Sequence, residues 1–190
     1  MTRITTGEVR ARLGARTPRP ADLIGRIQAA VAIVLAPGAN GGLDLLFIKR
    51  AEAHGDPWSG QMALPGGRRE DADQDLLATA IRETEEETGI RIPSASLLGV
   101  LDDLAPSIPV LPPVAVRPFV FALESQPPVT PSPEVAACLW TPVDTLRDSE
   151  VQAKVVVHGQ VRTVPAFVLG EYVVWGMTHR IISSFMDLAS

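Results

Sequence analysis

The segment that most constrains this chain is Leu64 to Ile90, LPGGRREDADQDLLATAIRETEEETGI. Its second half reads as a helix over about 75–88, stopped by Gly89, because glycine readily takes the left-handed conformation that ends helices. Leu77, Ala80, Ile81, Thr84 and Thr88 recur at steps of three and four, and this spacing predicts a shared buried face. Glu83, Glu86 and Glu87 share another face within one turn. Like charges so placed destabilise a helix by about 0.2–0.5 kcal/mol per pair. The one basic residue in the helix, Arg82, sits one turn before Glu86. Such a cluster calls for a cation from elsewhere, and hard divalent ions take oxygen ligands of this kind while keeping waters and substrate phosphates. Neutralising Glu86 or Glu87 is then expected to steady the metal-free helix.

The lead-in Pro65-Gly66-Gly67 gives a backbone that turns sharply and lets a ligand come close, since neither glycine has a Cβ. A carbonyl from this turn is a further metal ligand. Loop and helix together would hold metal against a polyphosphate, neutralise its charge and lower the pKa of a bound water. A carboxylate of the cluster, or one brought by another loop, would take the proton.

Around this segment the chain alternates apolar strand-like runs with turns. Ala29 to Leu35 and Leu43 to Lys49 predict a hairpin across the turn cluster 38–42. Leu97 to Asp102, Val114 to Leu123 and Val135 to Trp140 read as further strands, and 154–157 with 161–167 as a small hairpin. Thr141 is placed to cap a turn beginning at Pro142. Gly176 to Leu188 reads as a terminal helix with Met177, Ile181, Phe185 and Leu188 on one stripe. The fold class expected is α/β, with strands dominant. Residues 1–26, rich in arginine, read as an arm with a short helix capped by Thr5 or Thr6 and ended by Gly14, ahead of a domain at 27–190. That arm is expected to dock on the domain or on a partner subunit, or to stay solvated.

A net charge of -5 argues against a general nucleic-acid coat, which needs Lys and Arg on its surface. A single cysteine, Cys138, excludes an intramolecular disulfide framework and any multi-cysteine metal site, and it reads as a small buried apolar side chain. No apolar run is long enough to span a bilayer as a helix, and no secretory signal is evident, so a cytoplasmic protein with no membrane partner is expected.

The segment closely resembles the Nudix box, G-x5-E-x7-R-E-U-x-E-E-x-G-U with U apolar. Gly67, Arg82, Glu83, Glu86, Glu87, Gly89 and Ile90 match. Thr84 stands at the first U. The spacing from Gly67 to Arg82 is one residue longer than the general box, so the middle acid falls between Asp73 and Asp75. That extra residue is also found in the coenzyme A pyrophosphatase subgroup. Gly60-x3-Leu64-Pro-Gly-Gly67, Leu98 to Leu104, Glu134-Val135 followed by Trp140, and Trp175-Gly-Met-Thr178 are similar to that subgroup too. The chain differs from it at Asp56, where an arginine is usual, at Trp58, where a histidine is usual, and at Leu64, where a phenylalanine is usual.

The resemblance implies a Nudix-type α/β/α sandwich around a mixed β-sheet, with a short N-terminal arm. It implies hydrolysis of a nucleoside diphosphate linked to another moiety, dependent on Mg²⁺ or Mn²⁺. Glu83, Glu86 and Glu87 would be metal ligands with the Gly67 carbonyl. Glu83 or a loop acid would act as base, and Arg82 would orient the glutamates. Coenzyme A is the substrate favoured, cut to 3′,5′-ADP and 4′-phosphopantetheine. ADP-ribose, a dinucleotide or a nucleoside triphosphate are the alternatives within the same chemistry, and a nucleotide-binding sensor without turnover is the alternative outside it.

Other side chains have more than one reading. Glu134 is a candidate base or ligand, or a strand-end acid. Arg50, Arg68 and Arg69 are candidates for substrate phosphates, which guanidinium groups bind well. Trp58 is a candidate for stacking on a base. Asp102 and Asp103 either face the metal site or cap a loop. His54, His158 and His179 lack metal-ligand spacing. Trp140 and Trp175 read as core or interface, and with the arm they suit a homodimer. Loop 104–113 is expected to shape specificity.

Overall fold

A computed structural model describes residues 3–56, 58–106, 113–157 and 159–188. His158 and most of the specificity loop, 107–112, lie outside the described residues. The apolar run after Ile27 becomes β1 (Ile27–Pro37), paired antiparallel at its end with β2 (Leu43–Arg50). Every residue from Ala32 to Ala36 is fully buried. The run is continuous because both faces of the strand are covered: Ile33 and Leu35 enter one core, and Ala30, Ala32 and Val34 the other.

Two short strands follow that the sequence did not suggest, β3 (Met62–Ala63) and β4 (Gly66–Arg68). β3 pairs with β2, and β4 lies along β1 with Gly67 opposite Ala30. Beyond the helix α2 (Leu76–Thr88), β5 (Leu97–Val100) and β6 (Val114–Ala122) complete one side of the sheet, β6 running parallel to β1. On the other side β7 (Val135–Pro142) pairs with β2. The sheet is therefore mixed. α3 (Val143–Asp148), β8 (Glu150–Val157), β9 (Gln160–Leu169), β10 (Tyr172–Trp175) and α4 (Gly176–Leu188) follow, the three strands forming a separate small sheet.

Helices cover both faces. Leu76 and Ala80 of α2 pack with Ala32, Val34, Leu46, Phe119 and Phe121. On the far face Ile181, Ile182, Phe185 and Met186 of α4 join Leu45, Phe47, Val120 and Phe167. The arm is docked there as well. Its helix α1 (Thr6–Gly14) is opened by a capping box between Thr5 and Glu8, and it buries Val9 and Leu13 in that same core. Gly99 makes room for Leu13, since a Cβ at residue 99 would press on it. Arg16 and Arg19 both pair with Asp102, while Asp103 takes a two-pronged contact from Arg117 at 2.8 Å. Asp102 and Asp103 thus pin the arm and β6; their carboxylates are held by arginines instead of facing a metal.

Three local expectations are corrected. Thr141 does not cap α3: it lies buried in β7, its hydroxyl without a hydrogen-bond partner among the described residues, and the helix starts after Pro142 with no side-chain cap. Cys138 is half-buried in β7, where burial and the nearby Glu87 charge push its thiol pKa up. The buried face of α2 is Leu76, Thr79, Ala80, Thr84, Glu87 and Thr88, with Leu77 and Ile81 half-exposed. The threonines can face the core because each hydroxyl bonds back to the carbonyl four residues earlier, at 3.2 Å for Thr79, 2.7 Å for Thr84 and 2.6 Å for Thr88.

Candidate active site

Asp75 is the N-cap of α2, accepting from the Ala78 N–H at 2.8 Å, and Gly89 ends the helix at φ 72°. The free carbonyls at the far end are met by the proline-rich loop ahead of β7. Thr130 N–H donates to the Thr88 carbonyl at 2.8 Å, and Ser132 N–H to that of Glu87 at 3.0 Å. This loop then delivers Glu134, whose own carbonyl accepts from Ala51 N–H at 2.8 Å at the end of β2. Glu134 is exposed, yet close enough that its charge acts on Glu87.

Arg82 organises one side of the cluster. Its Nε and Nη2 each lie 2.9 Å from an Asp73 carboxylate oxygen, its Nη1 lies 3.0 Å from Glu83 and 2.8 Å from Glu86, and its Nη2 also donates to the Arg68 carbonyl at 3.1 Å. Asp73 also accepts from the Thr79 hydroxyl and the Glu70 N–H, both at 2.9 Å. The Arg82 hydrogen bonds hold the buried Asp73 carboxyl far below the usual carboxylate range. The loop acid that the sequence leaves open is therefore resolved into two structural tasks: Asp73 anchors Arg82, and Asp75 caps the helix.

Glu87 is the uncompensated member, while the half-buried Glu83 shares the Arg82 Nη1 with Glu86. Glu87 is 5% exposed and accepts from the Gly66 N–H at 2.9 Å. Among the described residues no guanidinium or ammonium group closes on it within ion-pair distance. Burial pushes its pKa up to about 7, and the charges of Glu83 and Glu134 add to the effect. Burial raises Glu83 as well, against the pull of Arg82. Gly67 lies against the Glu83 carboxyl so closely that a Cβ would overlap it. A Cβ on Gly66, at φ 151°, would strike the Ala30 carbonyl. The double glycine is thus required twice, once for β4 to pack on β1 and once for the carboxylate to reach the turn.

Among the described residues no three acids yet converge as a closed cage. Glu86 leans to Arg82 and Glu87 to the Gly66 N–H. The donor set nevertheless fits a hard divalent cation, because burial raises the pKa of both Glu83 and Glu87 beside a glycine turn, Glu87 has no cation of its own among the described residues, and Glu83 shares a single guanidinium nitrogen with Glu86. Gly67→Ala is expected to displace Glu83 and lower turnover about 100-fold, the size of effect that a 1 Å misplacement produces. Steady-state kinetics with a circular dichroism control check this, and a wild-type rate would refute the close-packing argument.

The remaining candidates fall around this centre in unequal ways. Arg50 ends β2 and pairs with Asp56 at 2.7 Å. Asp56 also accepts from the Trp58 N–H at 3.0 Å, and its pKa is lowered: burial raises it, but the Trp58 and Arg50 contacts and the Arg68 charge outweigh that. Arg68 is exposed on β4. Arg69 donates to the Asp73 and Gln74 carbonyls at 3.1 and 3.3 Å, so its guanidinium braces its own loop. Trp58, Trp140 and Trp175 are all half-buried, and His54 is exposed. His179, buried in α4, bonds Glu150 at 2.8 Å. The bracing by loop 127–133, and the division of labour between Asp73 and Asp75, left no trace in residue type or spacing. The Thr84 and Thr88 positions on the helix gave the one available hint of a buried glutamate beside them.

A mixed sheet between helical layers, with a glycine turn presenting a glutamate helix, defines the class: an α/β/α sandwich with an acidic site at one face. The NUDIX domain family matches residues 26–161, and the chain belongs to the Nudix hydrolase family. It is 33% identical over 172 residues to the human mitochondrial coenzyme A diphosphatase NUDT8, covering 84% of this chain and 69% of that protein. It is 34% identical over 165 residues to the Nudix hydrolase NudL of Enterobacter sp., covering 85% and 82%. Relatives from Schizosaccharomyces pombe and Arabidopsis thaliana are longer, and the match spans 40% and 53% of their lengths. A MutT/nudix family crystal structure from Enterococcus faecalis shares the fold, with a TM-score of 0.61, 16% identity and coverage of 97% of this chain and 69% of that one. Among the described residues no helix is long and apolar enough to cross a membrane.

Proposed function

We propose that this chain hydrolyses the diphosphate of coenzyme A or a coenzyme A derivative, releasing 3′,5′-ADP and 4′-phosphopantetheine. The observation that carries the hydrolytic reading is Glu87, buried without an ion-pair partner among the described residues, beside Glu83 and pressed with it against the Gly66-Gly67 turn. The likeness to the human coenzyme A diphosphatase over most of this chain supports the substrate.

In this reading Glu83, Glu86, Glu87 and the Gly67 carbonyl would hold Mg²⁺ or Mn²⁺. Such an ion supplies Lewis-acid polarisation of phosphoryl oxygens and a more acidic bound water. Arg82, fixed by Asp73, orients Glu83 and Glu86 through its Nη1. Glu83, whose pKa burial raises, or Glu134 arriving from the loop, accepts the proton of the attacking water. Arg50 and Arg68 lie on the strand ends beside the glutamates and are assigned to the substrate phosphates, with Trp58 beside Asp56 available to a base. Arg69 is assigned a bracing role, because its guanidinium is engaged with the loop.

The test is incubation with coenzyme A, ADP-ribose, diadenosine polyphosphates and nucleoside triphosphates, each with Mg²⁺ or Mn²⁺, and product identification by mass spectrometry. Coenzyme A is expected to give the highest kcat/KM, with 3′,5′-ADP and 4′-phosphopantetheine in equal amounts. Preferred cleavage of another substrate would overturn the substrate, and binding without turnover of any would overturn the enzyme.

A further inference from the structure

β8 is the outer strand of the small sheet, and among the described residues no strand pairs with its far side. The ladder with β9 runs from Glu150 opposite Phe167 to Val157 opposite Gln160, and Val168 N–H donates to the Ser149 carbonyl at 3.0 Å. Residues of an antiparallel strand alternate in the direction of their backbone groups. The Ser149 carbonyl and the backbone groups of Val151, Ala153 and Val155 therefore point at β9, and Glu150, Gln152, Lys154 and Val156 point theirs outward. These last four are all exposed. Among the described residues five large apolar side chains are exposed, and four of them are on this sheet: Val151 at 45%, Val156 at 70%, Val161 at 67% and Val168 at 38%. An open edge with apolar side chains and no proline is a template for pairing with another chain.

We propose that β8 binds a second copy of this chain, strand to antiparallel strand, about a twofold axis at Gln152. Self-association about a dyad is the commonest symmetry for a single self-complementary patch. An axis at Gln152 places Gln152 against itself and Glu150 against the partner's Lys154, so charge is complementary on both sides of the axis. All of these residues carry outward backbone groups, so this register is also the hydrogen-bonded one. A shift by one residue would bring inward-facing groups to the axis. A shift by two would set Lys154 on itself or Glu150 on itself, which like-charge repulsion disfavours. Hydrogen bond and charge thus select one register. The Glu150 carboxylate is already steadied by His179 through one oxygen, leaving the other for the partner's lysine. On the opposite face Val151 meets the partner's Ala153. The small sheets of the two copies become one continuous sheet.

Sedimentation equilibrium of the full chain at low salt tests this. The wild type is expected at twice its 20.3 kDa mass. Gln152→Pro removes an outward N–H without an internal hydrogen bond and is expected to be monomeric, with a native circular dichroism spectrum and a melting temperature that no longer depends on protein concentration. Lys154→Glu is expected to raise the dimer dissociation constant about tenfold or more, and E150K/K154E to bring it back. If Gln152→Pro fails to fold, the charge-swap pair decides. A wild-type monomer up to its solubility limit overturns the proposal and leaves the edge to an extended segment of another protein. A dimer unaffected by Gln152→Pro, or equally weak in the single and double charge variants, overturns it too.

Discussion

Glu87→Gln is expected to lower turnover roughly 1,000-fold, the several kcal/mol of transition-state stabilisation that a correctly held ion supplies. The same change should stabilise the metal-free protein. Glu87 titrates near 7 when folded and near 4.5 when unfolded. Between these values the folded state holds a proton that the unfolded state has lost, so the wild type should lose stability as pH rises from about 4.5 to about 7 and level off above. The full drop is at most about 3 kcal/mol. Glutamine mimics the protonated acid and keeps the Gly66 N–H contact, so its melting temperature should lack that slope. Thermal melts in EDTA at pH 5 and pH 8 check the sign. A wild type more stable at pH 8, or a variant with native turnover, contradicts the assignment. Glu86→Gln differs, because Glu86 is already compensated by Arg82 at 2.8 Å. The expectation that either neutralisation would steady the helix survives in the structure for Glu87 alone; at position 86 it removes an ion pair as well as a repulsion.

Asp73→Asn is the second large effect. It strips the charge from a buried carboxylate held at both oxygens by Arg82, and breaking such a pair by one partner costs about 3 kcal/mol. Arg82 then loses the anchor that aims its Nη1 at Glu83 and Glu86, so turnover should also fall about 10–100-fold, as for other groups that orient a ligand shell. Asp75→Asn is the matched comparison, since asparagine caps a helix about as well as aspartate. It should stay within about 0.5 kcal/mol of wild type with native kinetics. Denaturant titrations and kinetics of the two variants, side by side, decide which loop acid serves Arg82. Equal behaviour would refute the division of labour.

Several elements were legible because local chemistry and tertiary context agree on them. Thr5 with Glu8 carries its own capping box, Gly89 its own stop, and the stripe Ile181, Phe185 its own face. β3 and β4 were not legible. Gly66 and Gly67 have low strand propensity, and they are extended because β1 offers its edge to them. The face of α2 was read correctly at Ala80, Thr84 and Thr88 but takes in Leu76, Thr79 and Glu87 instead of Leu77 and Ile81, because the Thr79 hydroxyl is spent on Asp73 and the Asp75 carbonyl, and a carboxylate is not expected in a core. The docking of the arm depended on Gly99 and Asp102, remote in sequence from the residues they receive.

The residue types and their spacing by themselves determined the glycine turn, the glutamate helix, the family and the chemistry those imply, because helix periodicity and the absence of a Cβ are local properties. Tertiary structure alone decided which glutamate is buried, which aspartate holds Arg82, which arginine is spent on its own loop and which strand edge is left open. Each of those depends on what packs against a side chain from far along the chain, and burial and pairing, not residue type, set the energy of a charge.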